Sequence, residues 1–276
     1  MNDSPHPEPA APSRTIASIC CYCGTGCGVQ IRSQGNRVME VSGDTHHPSS
    51  RGKLCSKGLN LAATVRHDDS RIMSAQLRRH KNEPRRNIAL MSALTVAARK
   101  LADTIHSHGP DAIGFYLSGQ LLTEDYAVFN KLARALIGTN NIDTNSRLCM
   151  SSAVSAYKLT LGADAPPACY EDLDHAETVF IAGSNTAFAH PVLFRRLEAA
   201  KARNPSMKII VVDPRRTDTC DIADLHLPIS AGTDVALFHA MLNVMVWEDL
   251  IDRDYIARHT EGFEALKQRI HDFTPK

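Results

Sequence analysis

The sequence lacks a large net charge, a long apolar run and an internal repeat. Its formal net charge is +1 over 276 residues, so the overall charge does not indicate nucleic acid or anionic lipid as a partner. No apolar stretch approaches the roughly 20 residues of a transmembrane helix, so we expect no membrane partner. With 43% hydrophobic and 22% charged residues, the composition predicts a globular chain of one large or two ordinary domains.

The first residues also lack the features of an export signal. Residues 1–14 contain four prolines but no basic amino-terminal region and no apolar core, so we expect a disordered tail there. The paired arginines of the chain all come too late to form a twin-arginine signal. A cluster of free thiols also suits a reducing compartment, and the sequence therefore predicts a cytoplasmic protein.

Four cysteines form the most informative pattern that is present. Cys20, Cys23 and Cys27 lie within eight residues, and Cys55 follows after 27 intervening residues. Three thiols so close in sequence converge only if the backbone wraps tightly around one point. The glycines between and after them allow this, because they accept positive φ without a Cβ clash. Four thiolates around one centre hold either zinc or an iron–sulfur cluster.

The spacing of these cysteines favours the cluster over zinc. Structural zinc sites usually come as two separated short pairs, whereas here a tight triplet is joined by one distant cysteine. That arrangement suits a bulky [4Fe–4S] cube better than one small ion, although zinc remains the alternative. Cys21 would give poorer spacing as a ligand, and we expect it to be an extra, half-buried thiol.

The remainder of the chain reads as alternating strands and helices. Apolar alternation predicts two strands beginning at Gly28 and Arg37, and helical spacing predicts helices over residues 88–108 and 124–137 with a strand at 112–117 between them. A strand at 178–182, a helix at 191–203 and a strand at 208–212 then form a βαβ unit with a parallel sheet. A helix follows residues 232–234, with two short helices after it.

The predicted fold class is therefore α/β. A small β-rich [4Fe–4S] module over residues 15–60 is followed by Rossmann-like α/β domains with a parallel sheet, over residues 61–144 and 145–276. Ligands bind at the carboxyl ends of parallel strands, and the loops after residues 182 and 212 both lie there.

A lone cysteine, Cys149, marks a second informative stretch. It lies between a polar loop and a helix that we expect to start near Ser151, where the helix dipole would favour its thiolate. A thiolate serves as a nucleophile or as a ligand to a soft or high-valent metal. By itself, however, a lone cysteine is more often a small buried hydrophobe. Cys169 and Cys220 are expected to be structural.

The stretch from Cys20 to Lys57 resembles the amino-terminal cluster module of the molybdenum and tungsten bis-pterin oxidoreductases, a family that contains nitrate reductases, formate dehydrogenases and dimethyl sulfoxide reductases. The resemblance extends from about Thr15 to the last residue. It implies a [4Fe–4S] cluster and a Mo-bis(molybdopterin guanine dinucleotide) cofactor. It also implies that Lys57 lies between the two, where its charge would steady the reduced cluster and favour electron passage.

The segment around Cys149 resembles one branch of this family in particular. The order Asn145-Ser-Arg-Leu-Cys149-Met150 is similar to the segment with which nitrate reductases supply a cysteine to molybdenum. Formate dehydrogenases typically place a histidine directly after that position, and here Met150 follows. The resemblance implies that Cys149 binds molybdenum in a nitrate-reducing enzyme, and a formate dehydrogenase is the alternative.

The pterin dinucleotide also needs partners for its pyrophosphate and its guanosine. Backbone N–H groups at helix starts suit the first, and an acidic or amide edge suits the second. The resemblance assigns cofactor binding to Gln120, Asn145, Gly183, Ser184, Asn185, Asp213, Arg215, Gly232, Thr233 and Asp234. Each is weak alone, since a Gly-Ser-Asn loop is a turn more often than not. His190-Pro191 is either near the metal or structural.

Catalytic subunits of the resembled family are far longer, so we expect this chain to be truncated relative to them. The implied reaction consumes nitrate, two electrons and two protons and releases nitrite and water, with electrons from an NAD(P)H-linked flavoprotein, a ferredoxin or a flavodoxin. A non-catalytic iron–sulfur electron-transfer module and a zinc-stabilised binding protein are the other interpretations.

Overall fold

A computed structural model of the chain describes residues 12–35, 37–65 and 72–275. The strands are β1 (Ser13–Ile19), β2 (Gly28–Gln34), β3 (Arg37–Gly43), β4 (Ala75–Leu77), β5 (Arg86–Ile88), β6 (Phe115–Leu117), β7 (Ile142–Thr144), β8 (Thr178–Ala182), β9 (Lys208–Val212) and β10 (Leu225–Leu227). The α-helices are α1 (Ser56–Leu59), α2 (Leu61–Thr64), α3 (Leu90–His108), α4 (Thr123–Asn130), α5 (Asn145–Leu161), α6 (Asp172–His175), α7 (Thr186–Ala189), α8 (Pro191–Arg203), α9 (Asp234–Trp247), α10 (Arg253–His259) and α11 (Phe263–Ile270).

The described residues pack as two compact units. One joins the residues before position 67 to those from 168 onward, and the other comprises the residues between them. Because the first unit combines two distant parts of the chain, it does not follow the predicted domain boundaries after residues 14, 60 and 144. The two units are defined by spatial contacts, so the domain boundaries expected from the sequence stay predictions.

The first unit begins with an antiparallel sheet in the order β1-β2-β3. Both strands predicted from alternation are confirmed as β2 and β3, and the pairing shifts by a bulge after Arg32. Strand β1 begins at Ser13, so the last two residues assigned to the tail, Ser13 and Arg14, belong to the sheet instead. The rest of that predicted tail, up to residue 11, lies outside the described residues.

A parallel sheet forms the second part of this unit, in the order β10-β9-β8. The predicted βαβ unit is confirmed, because β8 and β9 pair in parallel and α8 connects them. Apolar residues of α8, of β9 with the residue before it, and of the 3₁₀ turn Asp218–Ile222 form one core cluster: Leu197, Ala200, Met207, Ile209, Val211 and Cys220. The burial of Cys220 in this core agrees with its expected structural role.

Helix α9 follows the sheet and packs against α11. The side-chain amide of Asn243 on α9 donates to the carbonyl of Ile270 at the end of α11, at 2.9 Å. Both helices predicted after residue 247 are present as α10 and α11. No helix of the described chain is both long and apolar enough to cross a membrane.

The second unit, residues 72–167, contains two small sheets, one antiparallel (β4-β5) and one parallel (β6-β7). Helix α3 confirms the predicted helix to within two residues. The predicted strand at 112–117 is shorter, because a 3₁₀ turn takes up Pro110–Ala112 and the strand starts only at Phe115. The predicted helix at 124–137 is α-helical only as far as Asn130 and continues as a π-helix over Lys131–Ile137.

Candidate functional site

The four cysteines of the sequence pattern line a single cavity. Cys20, Cys23, Cys27 and Cys55 all contribute to its wall. The rest of the wall from the cluster module is formed by Tyr22, Thr25, Leu54 and Gly58. Pro191 and Val192 of α8 close it from the other part of the same unit. The predicted convergence of the four thiols is therefore present, and it depends on residues about 140 positions later in the chain.

Backbone and side-chain hydrogen bonds fix the loop that carries the first three cysteines. The N–H of Cys20 donates to the carbonyl of Cys27 at 2.8 Å, which closes the loop at its base. Within it, Gly26 has φ +63° and its carbonyl accepts the hydroxyl of Ser49 at 2.6 Å. A side chain at position 26 would be strained in this conformation, so glycine is what permits the tight wrap.

The thiols disfavour one another's ionisation when nothing binds them. Burial, together with the nearby Cys20, Cys23 and Cys55, raises the pKa of Cys27 to about 11. Burial is also the main cause that raises the pKa of Cys20. Cys20 and Cys27 are therefore held as thiolates only if a cationic group lies in the cavity.

This set of ligands fits an iron–sulfur cube. Four thiolates are its usual protein ligands. In residues 12–35, 37–65 and 72–275, no three His, Cys, Asp or Glu side chains have the arrangement of a site for one metal ion, whereas a [4Fe–4S] cube is larger and takes its thiolates at separate corners. Cys21 was predicted to be half-buried; it is exposed instead and does not line the cavity.

Lys57 lies on α1, two residues after the fourth cysteine. Its Nζ is 5.9 Å from the centroid of the Phe188 ring, on α7 in the same unit. At this distance a cation–π attraction contributes about 0.5–1 kcal/mol at an exposed position. The ammonium group therefore has a defined neighbour that the sequence did not indicate.

Ion pairs join the cluster module to the helices behind it. Arg51 contacts Glu171 at 3.0 Å, and Arg196 of α8 contacts both Glu171 and Asp174. Hydrogen bonds from Arg196 are the main cause that lowers the pKa of Asp174. Arg203 also reaches Asp174 at 3.2 Å. Three cations thus surround two carboxylates beside the cysteine cavity.

The predicted cofactor loops meet at one edge of the parallel sheet. The N–H of Gly183, just after β8, donates to the carbonyl of Val212, the last residue of β9, at 2.9 Å. Asp213 follows β9, is only 8% exposed, and its carboxylate accepts the N–H of Arg215 at 2.8 Å. The Gly183 and Asp213 loops therefore lie side by side, as the strand order predicted.

A buried threonine organises the loop around Asn185. The hydroxyl of Thr219 donates to the side-chain oxygen of Asn185 at 3.0 Å and accepts the N–H of Ala187 at 3.1 Å. Ser184 and Thr186 share a hydrogen bond between their hydroxyls at 3.0 Å. In the neighbouring loop, the hydroxyl oxygen of Thr217 is buried and has no hydrogen-bond partner among the described residues. A buried polar atom without a partner is expected where a polar ligand binds and supplies the missing hydrogen bond.

The third predicted loop starts α9. Gly232 has φ +85°, and the hydroxyl of Thr233 donates to the carbonyl of Ser230 at 2.7 Å. Asp234 is the first residue of α9. Because β10 flanks β9 in the sheet, this loop follows the same strand edge as Asp213.

In the second unit, two more predicted residues meet at the ends of paired strands. Leu117 of β6 pairs with Thr144 of β7. Asn145 directly follows β7, and Gln120 lies three residues beyond the end of β6. The side chain of Asn145 accepts the N–H of Gly119 at 2.5 Å, which places Asn145 beside the loop that carries Gln120.

Cys149 lies on α5 rather than before it. The helix was predicted to start near Ser151, but it starts at Asn145, so Cys149 is its fifth residue, beyond the first turn in which the dipole acts most strongly. The thiol is exposed rather than buried as a small hydrophobe. Asn145 and Cys149 are four residues apart and therefore share one face of the helix.

Comparison with protein families decides the assignment of the chain. The model of the molybdopterin oxidoreductase family matches residues 91–267, and the model of the molybdopterin oxidoreductase Fe4S4 domain matches residues 13–67. The chain belongs to the molybdopterin oxidoreductase family. A [4Fe–4S] cluster and a molybdopterin cofactor are accordingly the groups that this family's domains hold.

Curated relatives carry two different activities in their names. A nitrate reductase of Synechocystis sp. is 41% identical over 269 residues, a match that covers 95% of this chain and 37% of that protein. An F420-dependent formate dehydrogenase subunit alpha of Methanocaldococcus jannaschii is 36% identical over 263 residues, covering 95% of this chain and 38% of that protein. The chain thus spans little more than a third of the length of these relatives.

A solved structure supports the fold. Acetylene hydratase from Pelobacter acetylenicus aligns with a TM-score of 0.77 and 25% identity, over 94% of this chain and 35% of the other.

Three residues of the site region had escaped sequence reasoning. Phe188 contacts Lys57, Thr219 holds the Asn185 loop, and Tyr170 reaches the cysteine loop. No local sequence pattern indicates these contacts, because each joins residues that are 32 or more positions apart in the chain.

Proposed function

We propose that this chain is the part of a nitrate reductase that carries the [4Fe–4S] cluster and one side of the pterin site. The observation that carries the proposal is Cys149, exposed on α5 beside Asn145 and followed by Met150 rather than by histidine. Support also comes from the Synechocystis relative, which is named a nitrate reductase.

The proposed cluster ligands are Cys20, Cys23, Cys27 and Cys55, which line one cavity. Lys57 is the proposed link for electrons that leave this cluster, with Phe188 fixing its direction. When bound, the molybdenum pterin supplies oxygen-atom transfer, so that nitrate, two electrons and two protons give nitrite and water. Cys149 is the proposed protein ligand that tunes this metal.

The remaining proposed cofactor contacts fall on strand ends in each unit. Gly183, Ser184, Asn185, Asp213, Arg215, Gly232, Thr233 and Asp234 share one sheet edge in the first unit. Gln120 and Asn145 follow β6 and β7 in the second. Strand ends are where ligands of parallel sheets bind, and the backbone N–H groups there suit phosphate oxygens.

We further propose a cytoplasmic location and an electron donor of the flavoprotein, ferredoxin or flavodoxin class. All eight cysteines are free thiols, and the exposed Cys21, Cys149 and Cys169 would be at risk in an oxidising compartment.

The alternative is a formate dehydrogenase, favoured by the 36% identity to the Methanocaldococcus subunit. The test uses a full-length polypeptide that carries this segment and a viologen dye as electron carrier. Nitrite production with no formate oxidation supports the proposal, and the reverse pattern establishes the alternative. Cys149→Ala should abolish nitrite production while Cys169→Ala, also at an exposed thiol, should leave it unchanged. Undiminished turnover in Cys149→Ala would contradict the ligand role.

A further inference from the structure

Tyr170 reaches the cysteine loop from far along the chain. Its hydroxyl donates to the carbonyl of Gly24 at 3.0 Å and to the carbonyl of Thr25 at 3.2 Å, across 146 and 145 positions. Both carbonyls lie between Cys23 and Cys27. A single O–H is therefore shared between two acceptors in the part of the loop that must hold its shape for these thiols to converge.

The segment that carries Tyr170 is itself anchored. The neighbouring Glu171 contacts Arg51 and Arg196, and Asp174, one turn later, contacts Arg196 and Arg203. These ion pairs therefore anchor the segment directly after Tyr170 both to Arg51 of the cluster module and to α8.

The environment keeps the hydroxyl of Tyr170 in its donor form. Burial raises the pKa of Tyr170, and the neighbouring Cys23 and Cys27 raise it further. Thr25, whose carbonyl it contacts, is only 2% exposed. The hydroxyl of Tyr170 thus meets a buried part of the loop between these two cysteines.

The contact also fixes the orientation of two peptide groups. A peptide is planar and its N–H points opposite to its carbonyl, so holding the carbonyls of Gly24 and Thr25 directs their negative ends toward Tyr170. Released carbonyls would turn to water, and the loop would open to solvent. Water access and the dipoles near the sulfurs are two of the factors that set the reduction potential of an iron–sulfur cluster.

We propose that Tyr170 is a positioning residue of the cluster site, which holds the Cys23–Cys27 loop closed and thereby sets both the retention of iron and the reduction potential. This rests on the proposed ligation of a [4Fe–4S] cluster by the four cysteines. No part of the proposal requires Tyr170 to touch the cluster or the substrate.

The test compares the iron-loaded full chain with Tyr170→Phe, which keeps the ring and removes only the hydroxyl. A ferrous chelator added anaerobically should strip iron from the variant about five to ten times faster, the factor expected for one lost hydrogen bond. The cluster's midpoint potential should move upward, because better hydration favours the more highly charged reduced form. Tyr255→Phe, an exposed tyrosine on α10, should match the unaltered chain in both measurements.

The outcomes separate the two proposals. If the unaltered chain holds no four-iron cluster, the cluster assignment itself fails before the variant is considered. If it does hold one and Tyr170→Phe releases iron at the same rate or keeps the same potential, the role of Tyr170 is overturned. Far-UV circular dichroism of both variants checks that each is folded.

Discussion

Arg51, in the cluster module, donates a hydrogen bond to Glu171 at 3.0 Å across 120 positions of the chain. Arg196 of α8 forms ion pairs with the same carboxylate and with the nearby Asp174. A small three-stranded sheet buries little apolar surface by itself. These ion pairs, with the contact of Val192 to the module's core, fasten the module to α8 of the parallel βαβ unit, and residues of both line the cysteine cavity.

Asp174→Asn should destabilise the first unit. Asp174 and Arg196 are only 16% and 11% exposed at their side chains, so the variant leaves a poorly solvated guanidinium with only Glu171, 3.4 Å away, as a charge partner. We expect a loss of about 2 kcal/mol in the free energy of unfolding, measured by urea titration. Asp249→Asn is the control, because its pair with Arg253 is 64% and 69% exposed and should contribute less than about 0.5 kcal/mol. Equal losses in both variants would contradict the proposed importance of the Arg196 network.

The same carboxylate gives a dependence of stability on pH. Hydrogen bonds from Arg196 hold the pKa of Asp174 below its ordinary value of 3.8. A depressed pKa in the folded state adds stability that is fully present above the ordinary value and is lost as the pH falls through the folded value. The urea concentration at the midpoint of unfolding, measured from pH 6 down to pH 3, should therefore decrease once the pH is below about 4. The decrease should be less steep in Asp174→Asn. Parallel curves for the two proteins would show that Asp174 contributes nothing to acid sensitivity.

Gly119→Ala should disturb the loop that presents Gln120. A Cβ at this position would collide with the hydroxyl of Ser146 and lie 3.1 Å from the side-chain oxygen of Asn145. We expect a loss of about 1–3 kcal/mol in the unfolding free energy, as for other overpacked sites. In the control Gly114→Ala, the added Cβ would meet its nearest atom, the carbonyl oxygen of Asn141, at an ordinary 3.9 Å. That variant should stay within about 0.5 kcal/mol, and a similar loss in both would show that the Gly119 contact is not what matters.

Lys57→Met should separate cluster assembly from electron flow. The side chain is exposed and lies two residues beyond Cys55 in sequence, but it is not among the cavity-lining residues, so the iron content should stay unchanged. In a full-length polypeptide, dye-driven turnover should fall about 10- to 100-fold, in the range seen when groups around a metal site are altered. Lys100→Met, at an exposed lysine on α3, serves as the control and should retain full turnover. Normal turnover in Lys57→Met would exclude Lys57 from the electron path.

Much of the first unit could be predicted because its signals are local. The βαβ unit over Thr178–Val212 follows from apolar runs and from Pro191 at a helix start, and both are properties of neighbouring residues. The four cavity cysteines could be grouped by spacing alone, since a tight cysteine triplet followed by one distant cysteine is typical of an iron–sulfur site.

The features that could not be predicted from the sequence are those that depend on long-range packing, and helix ends or helix types that no local residue pattern indicates. The start of α5 was placed six residues too late, because Asn145 and Ser146 read as loop residues although both lie within the helix. The π-helix after Asn130 has no composition that distinguishes it from an α-helix. The contact of Tyr170 with Gly24 joins residues 146 positions apart, and no periodicity records such a pair.

Anaerobic iron and sulfide analysis of the purified chain tests the central assignment most directly. If the four cysteines hold a [4Fe–4S] cluster, we expect a brown protein with about four irons and four sulfides per chain. Cys55→Ser should lose this content, whereas Cys21→Ser, at the exposed neighbouring thiol, should keep it. A colourless protein that holds one zinc, or a Cys55→Ser variant that retains its full iron content, would contradict the assignment of a [4Fe–4S] cluster to these cysteines.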